Sequence, residues 1–289
     1  MSDQPTIAVL GAGGTMGFPI ARNLARARFA VRAWNRSRGK AEPLAEDGVQ
    51  VLDRAAEAAT GADVILTMLA DSDAVLGSIK DALSGEPVGD AVWLQMSTIG
   101  EHGTERCGEL ARERGLSLID APVLGTKQPA YDRALVVLAS GPAELQDRVQ
   151  PLFDAIAQRT MWVGEAGAAS RLKLATNSWI LTVVEGTAET FALAEGLGLD
   201  PQLVLDAVAG GTLDLPYMQL KGKAIMERDF EPSFKLALAA KDAELVQEAI
   251  ERRGLTLPLL DTIRERLQEG AAEHPDADMI ATYLTSAPG

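Results

Sequence analysis

The sequence predicts an α/β fold in which a doubly wound parallel sheet forms an N-terminal domain and a long interdomain helix leads into an all-helical C-terminal domain. Three observations support this prediction: short apolar runs alternate with helical patterns as far as residue 164, the strand pattern then stops, and residues 167–195 have few polar interruptions. Alternating strands and helices are typical of a parallel sheet covered on both faces. We therefore expect two domains, 1–164 and 165–289.

The apolar runs of the first domain predict its strands, which are 7–10, 30–34, 64–69, 91–95, 116–119, 135–139 and 161–163, with a short further strand at 50–52. Amphipathic stretches between them predict helices at 16–28, 74–83, 101–114 and 143–156. The later strands follow shorter connections, which leaves an antiparallel arrangement open to them. Beyond the long helix, Asp200 and Pro201 have the chemistry of an N-cap and a first helical position. Further helices are predicted at 201–209, 218–227, 234–253 and 258–269.

The composition argues against several classes of function. The chain has 41 acidic and 27 basic residues and a net charge of −14, and so acidic a surface repels nucleic acids and anionic lipids. A single cysteine, Cys107, excludes an intrachain disulfide, and with only His102 and His274 beside it no metal site is expected. No apolar run reaches the length of a membrane span, so we expect a soluble cytoplasmic protein. The acidic stretch 273–278 is expected to be a solvated face.

The first predicted strand runs directly into a glycine-rich turn, Gly11-Ala12-Gly13-Gly14-Thr15-Met16-Gly17, which a helical pattern follows. A dinucleotide site needs glycine here because the turn is tight, the backbone approaches the pyrophosphate and the helix packs close to the strand. The helix N-terminus also presents unpaired amides to the phosphates. We therefore predict a Rossmann-type dinucleotide-binding domain at 1–164; the alternative is a glycine-rich turn without a ligand. The common spacing would put the third glycine at Met16, whereas Gly17 lies one position later.

The end of the second strand indicates which dinucleotide binds. An NAD site usually offers a carboxylate there to the ribose 2′-hydroxyl, whereas this chain offers Asn35, Arg36 and Ser37. A guanidinium and a hydroxyl favour a 2′-phosphate. The predicted cofactor is therefore NADPH or NADP, with NAD as the second choice; the alternative is a solvated basic loop without a ligand.

The long helix carries a candidate proton donor. Lys173 and Asn177 are four residues apart and share one helix face, with apolar neighbours around them. A partly desolvated amine exchanges its proton nearer to neutral pH, so Lys173 is a candidate general acid or base. Asn177 could hydrogen-bond a substrate oxygen or hold the lysine. Taken alone, the pair is also compatible with a snorkelling lysine and a capped amide.

These residues stand in a larger pattern that resembles the β-hydroxyacid dehydrogenases, the group of 3-hydroxyisobutyrate dehydrogenase and of glyoxylate and succinic semialdehyde reductases. More distantly, the chain resembles 6-phosphogluconate dehydrogenase. The resemblance covers nearly the whole chain and preserves the family's order of motifs. These are the glycine turn, Met68-Leu69, Ser97-Thr98, Asp120-Ala121-Pro122-Val123, residues 164–177 and Lys241-Asp242.

The resemblance implies roles for particular residues. Lys173 matches the catalytic lysine of the family, and Asn177 matches a substrate-binding asparagine. Lys241 matches a lysine of the helical domain that reaches the cofactor. The remaining implied cofactor contacts are Met68, Leu69, Ala70 and Thr98.

One loop departs from the family pattern. Where relatives usually have a serine followed by two small residues that bind the substrate carboxylate, this chain has Leu124, Gly125 and Thr126. Leu124 removes a hydroxyl donor, while Gly125 and Thr126 can still offer backbone amides. The substrate is therefore expected to be larger, more apolar or not a simple carboxylate, with Thr126, Lys127 and Gln128 as the nearest polar replacements.

Together these observations predict an NADP(H)-dependent oxidoreductase whose site lies in the cleft between its two domains. Hydride would pass between the nicotinamide and a small aldehyde, keto acid or hydroxy acid while Lys173 transfers the proton. Two alternatives remain: an imine reductase-like enzyme, against which Lys173 argues, and a non-catalytic NADPH-binding module. By analogy with the family, we expect a homodimer or homotetramer.

Overall fold

The computed structural model describes residues 5–85 and 89–287. The chain divides into two compact units, Met1–Lys173 and Leu174–Gly289. Each unit has its own hydrophobic core, and they are described in turn.

A six-stranded parallel sheet forms the centre of the first unit. Its strands are β1 (Thr6–Leu10), β2 (Ala30–Trp34), β3 (Gln50–Val51), β4 (Val64–Thr67), β5 (Val92–Gln95) and β6 (Ser117–Asp120). They lie in the order β3-β2-β1-β4-β5-β6. Strands β2 and β3 are thus added on one side of β1, and strands β4, β5 and β6 on the other. This order confirms the predicted doubly wound sheet.

Helices cover both faces of this sheet. They are α1 (Gly17–Arg26), α2 (Ala55–Ala59), α3 (Ser72–Ala82), α4 (Gly100–Arg114), α5 (Lys127–Tyr131) and α6 (Gln146–Ile156). One core contains Ile20 and Leu24 of α1 with Phe153 of α6. The other contains Ile79 of α3 and Trp93 of β5. The short helices α2 and α5 were not predicted, because five residues are too few for a helical period to be recognised.

A second, three-stranded sheet completes the first unit. It contains β7 (Val123–Leu124), β8 (Leu135–Ala139) and β9 (Ala157–Trp162). Strands β7 and β8 are antiparallel, whereas β8 and β9 are parallel. The antiparallel arrangement that the sequence left open for the later strands is therefore found only between β7 and β8. Strand β9 begins four residues before the predicted 161–163, because Gln158 and Arg159 are exposed polar residues that give no apolar signal.

The second unit is helical. The 29-residue α7 (Ala168–Gly196) begins in the first unit and continues into this one. It is followed by α8 (Gln202–Val208), α9 (Pro216–Met226), α10 (Leu236–Arg253), α11 (Pro258–Glu273) and a 3-10 segment, Met279–Thr285. Phe191, Leu236, Leu267 and Tyr283 are fully buried in its core. The predicted all-helical C-terminal domain is confirmed.

The acidic stretch 273–278 is not a uniformly solvated face, because Asp278 is buried. Its carboxylate accepts hydrogen bonds from Lys221 Nζ at 2.6 Å and from the Ser233 amide and hydroxyl at 2.9 and 2.7 Å. Burial by itself would raise the pKa of Asp278, but the Lys221 charge and these hydrogen bonds hold it below its usual value. The Asp278 carboxylate thus joins α9, through Lys221, to the segment that enters α10, through Ser233.

We expect Asp278→Asn to lower the free energy of unfolding by about 3 kcal/mol at neutral pH, because it leaves a buried ammonium without its partner. Since the folded pKa lies below the unfolded one, this stability is present above the unfolded pKa and is lost as the pH falls through the folded pKa. Urea titrations at several pH values measure the difference, which should shrink toward acid. Asp276→Asn, in the exposed pair with Lys235, is the control; an equal loss in both variants would contradict the prediction.

Candidate active site

The predicted cofactor residues of the first unit all follow the carboxyl ends of parallel strands. The glycine turn follows β1, Asn35 follows β2, Met68 follows β4 and Thr98 lies three residues after β5. Because these strands are parallel, their carboxyl ends meet at one edge of the sheet. The strand order reverses between β1 and β4, and this switch point is where open α/β sheets bind their ligands.

The glycine turn is closed by contacts that only glycine permits. Gly11 has φ +95°, and a Cβ atom there would lie 2.2 Å from the Met68 carbonyl oxygen. A Cβ atom on Gly17 would lie 2.2 Å from the Gly11 carbonyl oxygen. Gly17 therefore occupies the position of close helix-to-strand approach, and the extra residue lies in the turn before it.

Several amides of the turn are already committed. Gly11 and Ala12 donate to the Trp34 carbonyl oxygen at 2.9 and 3.1 Å, and Gly14 donates to the Gly11 carbonyl oxygen at 3.0 Å. Thr15 and Met16 precede α1, whose first-turn amides lack intrahelical acceptors. Thr15 is exposed and Met16 is half-buried. The amides of these two residues are thus better placed than that of Gly14 to receive a phosphate.

We expect Gly17→Ala to raise the Kd for the reduced nicotinamide cofactor more than about tenfold, because a Cβ contact of 2.2 Å with backbone forces the N-terminus of α1 away from the turn. Cofactor titration by nicotinamide fluorescence measures the change. Gly77→Ala in α3 is the matched control, since its Cβ would meet no atom within 4 Å. Equal affinities in the two variants would contradict the assignment of Gly17.

The loop after β2 places basic groups beside the glycine turn. Asn35 Nδ2 donates to the Ser37 carbonyl oxygen at 3.0 Å, and Arg36 and Ser37 are exposed. Arg38 is held by Glu42 at 2.9 Å and Asp53 at 2.7 Å. Arg36, rather than Arg38, is therefore the guanidinium that can turn toward a ligand.

Lys40 is a basic residue of this loop that the sequence analysis missed. A Cβ atom on Gly13 would lie 2.7 Å from both Lys40 Cβ and Asn35 Nδ2, so the loop and the glycine turn are in contact. Lys40 is exposed. Its position four residues after Arg36 could have been noticed, but only the fold shows that it lies against the turn.

A buried polar network supports the ends of β4 and β5. Ser97 Oγ accepts from the Leu69 amide at 2.8 Å, and the Ser97 amide donates to Gln95 Oε1 at 2.7 Å. Gln95 also accepts from the Thr67 hydroxyl at 3.3 Å. The network fixes the loop of Met68, Leu69 and Ala70, in which Ala70 is exposed. Thr98, which follows Ser97 directly in the chain, is half-buried.

The predicted substrate loop begins on β7. Leu124 pairs with Val136 of β8 and is half-buried. Gly125 has φ +121°, and a Cβ atom there would lie 2.7 Å from Leu135 Cδ2. Thr126 is half-buried and precedes α5, where Lys127 is exposed. Leu124 thus places an apolar side chain at the position where the family resemblance implies a hydroxyl.

Lys173 and Asn177 lie on consecutive turns of α7 and are buried, with 8% and 5% of their surface exposed. Burial of an ammonium and an amide is unusual for a helix that only packs. Asn177 Nδ2 donates to Asp242 Oδ2 at 2.8 Å. Lys241 Nζ lies 2.8 Å from Asp242 Oδ1. The second unit therefore brings Asn177 and Lys241 together through Asp242.

Asp242 belongs to the Lys241-Asp242 motif, in which the sequence predicts a role for the lysine alone. Its carboxylate is buried, with 4% of the residue exposed, and contacts Asn177 of α7 and Lys241 of α10. Because the side-chain NH2 group of Asn177 donates to Asp242 here, the amide oxygen of Asn177 faces away from that carboxylate and can accept a hydrogen bond.

Two absences bear on the site. Among residues 5–85 and 89–287, no group of three or more His, Cys, Asp or Glu side chains could hold a metal ion. No helix in this part of the chain is long and apolar enough to span a membrane. Cys107 of α4 is buried in the hydrophobic core that contains Ile79 and Trp93. This burial raises the pKa of its thiol to about 12.

Family comparisons match both units. Residues 6–164 match the NAD-binding domain of 6-phosphogluconate dehydrogenase. Residues 167–285 match the NAD-binding domain described for NADP-dependent 3-hydroxyisobutyrate dehydrogenase. Together the two matches cover almost the whole chain.

Individual relatives agree with these matches. An oxidoreductase of Bacillus subtilis, YfjR, is 34% identical over 91% of this chain and 93% of its own length. The structure of Mycobacterium tuberculosis 3-hydroxyisobutyrate dehydrogenase with L-serine has a TM-score of 0.87 at 30% identity, covering 98% of this chain and 99% of that one. A Pseudomonas imine reductase has a TM-score of 0.65 at 20% identity, covering 98% and 99%, a likeness of fold alone.

Proposed function

Since this chain belongs to the β-hydroxyacid dehydrogenase family of NAD(P)-dependent oxidoreductases, we propose that it uses NADP(H) to interconvert a small hydroxy acid and the corresponding aldehyde or keto acid. One observation carries the proposal: a lysine and an asparagine are both buried on consecutive turns of α7. A buried amine beside a hydrogen-bonding amide is suited to a carbonyl oxygen that gains a proton.

The preference for NADP(H) is supported by the charge around the predicted ribose site. Arg36 and Lys40 are exposed basic residues on the loop that touches the glycine turn, and Arg38 pairs with the carboxylates of Glu42 and Asp53. Ser37 adds a hydroxyl. This arrangement favours a 2′-phosphate over a 2′-hydroxyl.

In the proposed reaction, the bound nicotinamide supplies or accepts the hydride. Lys173 donates a proton to the carbonyl oxygen during reduction and accepts it back during oxidation. Asn177 orients the substrate, and Asp242 fixes the amide of Asn177 by accepting its Nδ2 hydrogen at 2.8 Å. Lys241, held by the same carboxylate, contributes positive charge that stabilises developing negative charge on oxygen.

The substrate class follows from the loop at residues 124–126. Leu124 offers no hydrogen bond, so a carboxylate bound there relies on the backbone amides of Gly125 and Thr126. We expect a substrate with an apolar portion near the carbonyl to be preferred over glyoxylate, the smallest aldehyde acid. A charged carboxylate without a side-chain donor loses about 1–3 kcal/mol of binding.

A substrate panel tests the proposal. The purified protein is assayed with NADPH and with NADH against small aldehyde acids, keto acids, and 2-, 3- and 4-hydroxy acids. Reduction of an aldehyde or keto acid with NADPH is the expected result. Activity on cyclic imines alone would favour the imine reductase alternative, which the half-buried Leu124 leaves open. Tight NADPH binding without turnover of any compound would favour a non-catalytic binding module.

We also propose that the chain forms a homodimer or a homotetramer through its helical unit. Leu193 of α7 and Leu197, the first residue after this helix, are 63% and 66% exposed and line a surface groove of about 540 Å³. Leu203 and Leu220 are also more than half exposed. Exposed apolar residues in such number are typical of a surface that a second subunit covers.

We expect light scattering after size exclusion to give a multiple of the 30.6 kDa chain mass. The double variant Leu193→Asp, Leu197→Asp should reduce the mass, because two buried carboxylates would oppose the interface. Met161→Asp, which changes an exposed apolar residue of the first unit, is the control. A wild-type chain that is monomeric at micromolar concentration would contradict the proposal.

A further inference from the structure

The first turn of α7 is anchored by a carboxylate from the sheet of the first unit. Asp120, the last residue of β6, is fully buried. It accepts hydrogen bonds from the Ser170 amide at 2.9 Å, the Ser170 hydroxyl at 2.8 Å and the Ser140 hydroxyl at 3.3 Å. Burial raises the pKa of Asp120, although the Ser170 and Gly167 hydrogen bonds act in the opposite direction.

Ser140 extends the anchor to a second amide of the same turn. Its hydroxyl oxygen accepts from the Ala169 amide at 3.0 Å, while its backbone exchanges two hydrogen bonds with Asp120 at 2.8 and 2.9 Å. The first amides of a helix have no intrahelical acceptor. Here two of them, those of Ala169 and Ser170, are satisfied by the side chains of Ser140 and Asp120 and not by residues immediately before the helix.

This anchor lies one turn before Lys173. Residues three apart on a helix lie on the same face, so Lys173 follows Ser170 directly. Thr104 of α4 holds Ser170 from another direction, with 2.9 Å between the two hydroxyl oxygens. The rotation and the axial position of α7 at Lys173 are therefore set by contacts to β6 and α4 within the same unit.

Carboxylate chemistry suits this anchor better than any neutral side chain. Both carboxyl oxygens of Asp120 accept hydrogen bonds here, from amide and hydroxyl donors. Asparagine has the same shape but would turn an NH2 group toward one of those donors.

We propose that Asp120 is a positioning residue, which fixes the first turn of α7 and thereby holds Lys173 where it transfers its proton. This inference rests on the proposed function of Lys173. It assigns a role to a residue that touches neither substrate nor cofactor in the proposed reaction.

The test compares Asp120→Ala and Asp120→Asn in the full-length protein, with NADPH and the panel carbonyl compound that has the highest kcat/KM. A displacement of a reacting group by about 1 Å costs about 10²-fold in rate, so Asp120→Ala should lower kcat about 100-fold. Asp120→Asn should keep more of the wild-type kcat than Asp120→Ala does. The Kd for NADPH, measured by fluorescence, should stay within about twofold, because the glycine turn is unchanged. Asp278→Asn, a destabilising change at another buried aspartate, should leave kcat unchanged at temperatures where it is folded.

Unchanged kcat in folded Asp120→Ala or Asp120→Asn would overturn the proposal, as would an equal loss of kcat and of NADPH affinity. If neither variant folds, Ser170→Ala decides, because it removes one donor and leaves the carboxylate; an unchanged kcat again overturns the proposal. Lys173→Met is measured in parallel. Full activity in that variant would refute the lysine chemistry itself, which separates failure of the proposed function from failure of the Asp120 anchor.

Discussion

Lys173→Met should lower kcat for carbonyl reduction by about 10³-fold, since removal of a general acid typically costs 10²–10⁴-fold. The substitution preserves the length and apolar stem of the side chain, so α7 should remain packed. The glycine turn and the loop after β2 are untouched, and the Kd for NADPH should stay within about twofold, as expected when only the reacting step loses an interaction. Steady-state rates and a fluorescence titration measure the two quantities.

Lys223→Met is the matched control for this substitution. Lys223 lies on α9 with 67% of its side chain exposed, in a surface ion pair with Glu227. Such pairs contribute little to the stability of the folded protein. Its variant should keep the kcat of the wild type. A Lys173→Met enzyme that retains more than a tenth of wild-type kcat would contradict the role of Lys173, whereas a parallel loss in both variants would indicate damage unrelated to the proton.

Arg36→Gln should lower kcat/KM for NADPH by about 10-fold to 100-fold, because hydrogen bonds between charged groups contribute about 1.5–3 kcal/mol. The value for NADH should change little, since that cofactor has no 2′-phosphate. The effect should also weaken as the salt concentration rises, because Arg36 is exposed and screening acts on it. Rates with both cofactors at two ionic strengths measure the prediction.

Arg28→Gln removes the same charge at the opposite end of β2. Arg28 is exposed just before β2 begins, far along the strand from the glycine turn. Its variant should show the cofactor preference of the wild type. A wild-type enzyme that prefers NADH, or an Arg36→Gln variant that keeps its NADPH preference, would refute the cofactor assignment.

Features coded by neighbouring residues could be predicted from the sequence. The glycine turn is one contiguous motif between a strand and a helix, and the strand order confirms its setting. The Lys173 and Asn177 pair shares a face because of helix geometry alone. Arg36 could be proposed as a cofactor contact because it lies two residues after a strand whose end could be recognised.

Features that depend on distant partners could not be predicted. Asp120 meets Ser170 across 50 residues, and Asn177 meets Asp242 across 65. Lys221 meets Asp278 across 57 residues, which is why an apparently solvated acidic stretch contains a buried carboxylate. A sequence pattern reports local periodicity, whereas these contacts arise from how elements pack. The polar edge strand β9 was placed too late for a related reason, because its pairing partner, not its own hydropathy, defines it.

The most direct test of the account is a single-turnover measurement of hydride transfer. Wild-type and Lys173→Met protein are each loaded with NADPH and mixed with excess of the best carbonyl substrate, and the loss of nicotinamide absorbance is followed. The account predicts rapid decay in the wild type and a rate slower by about 10³-fold in the variant, at equal NADPH occupancy. Equal decay rates in the two proteins would contradict it.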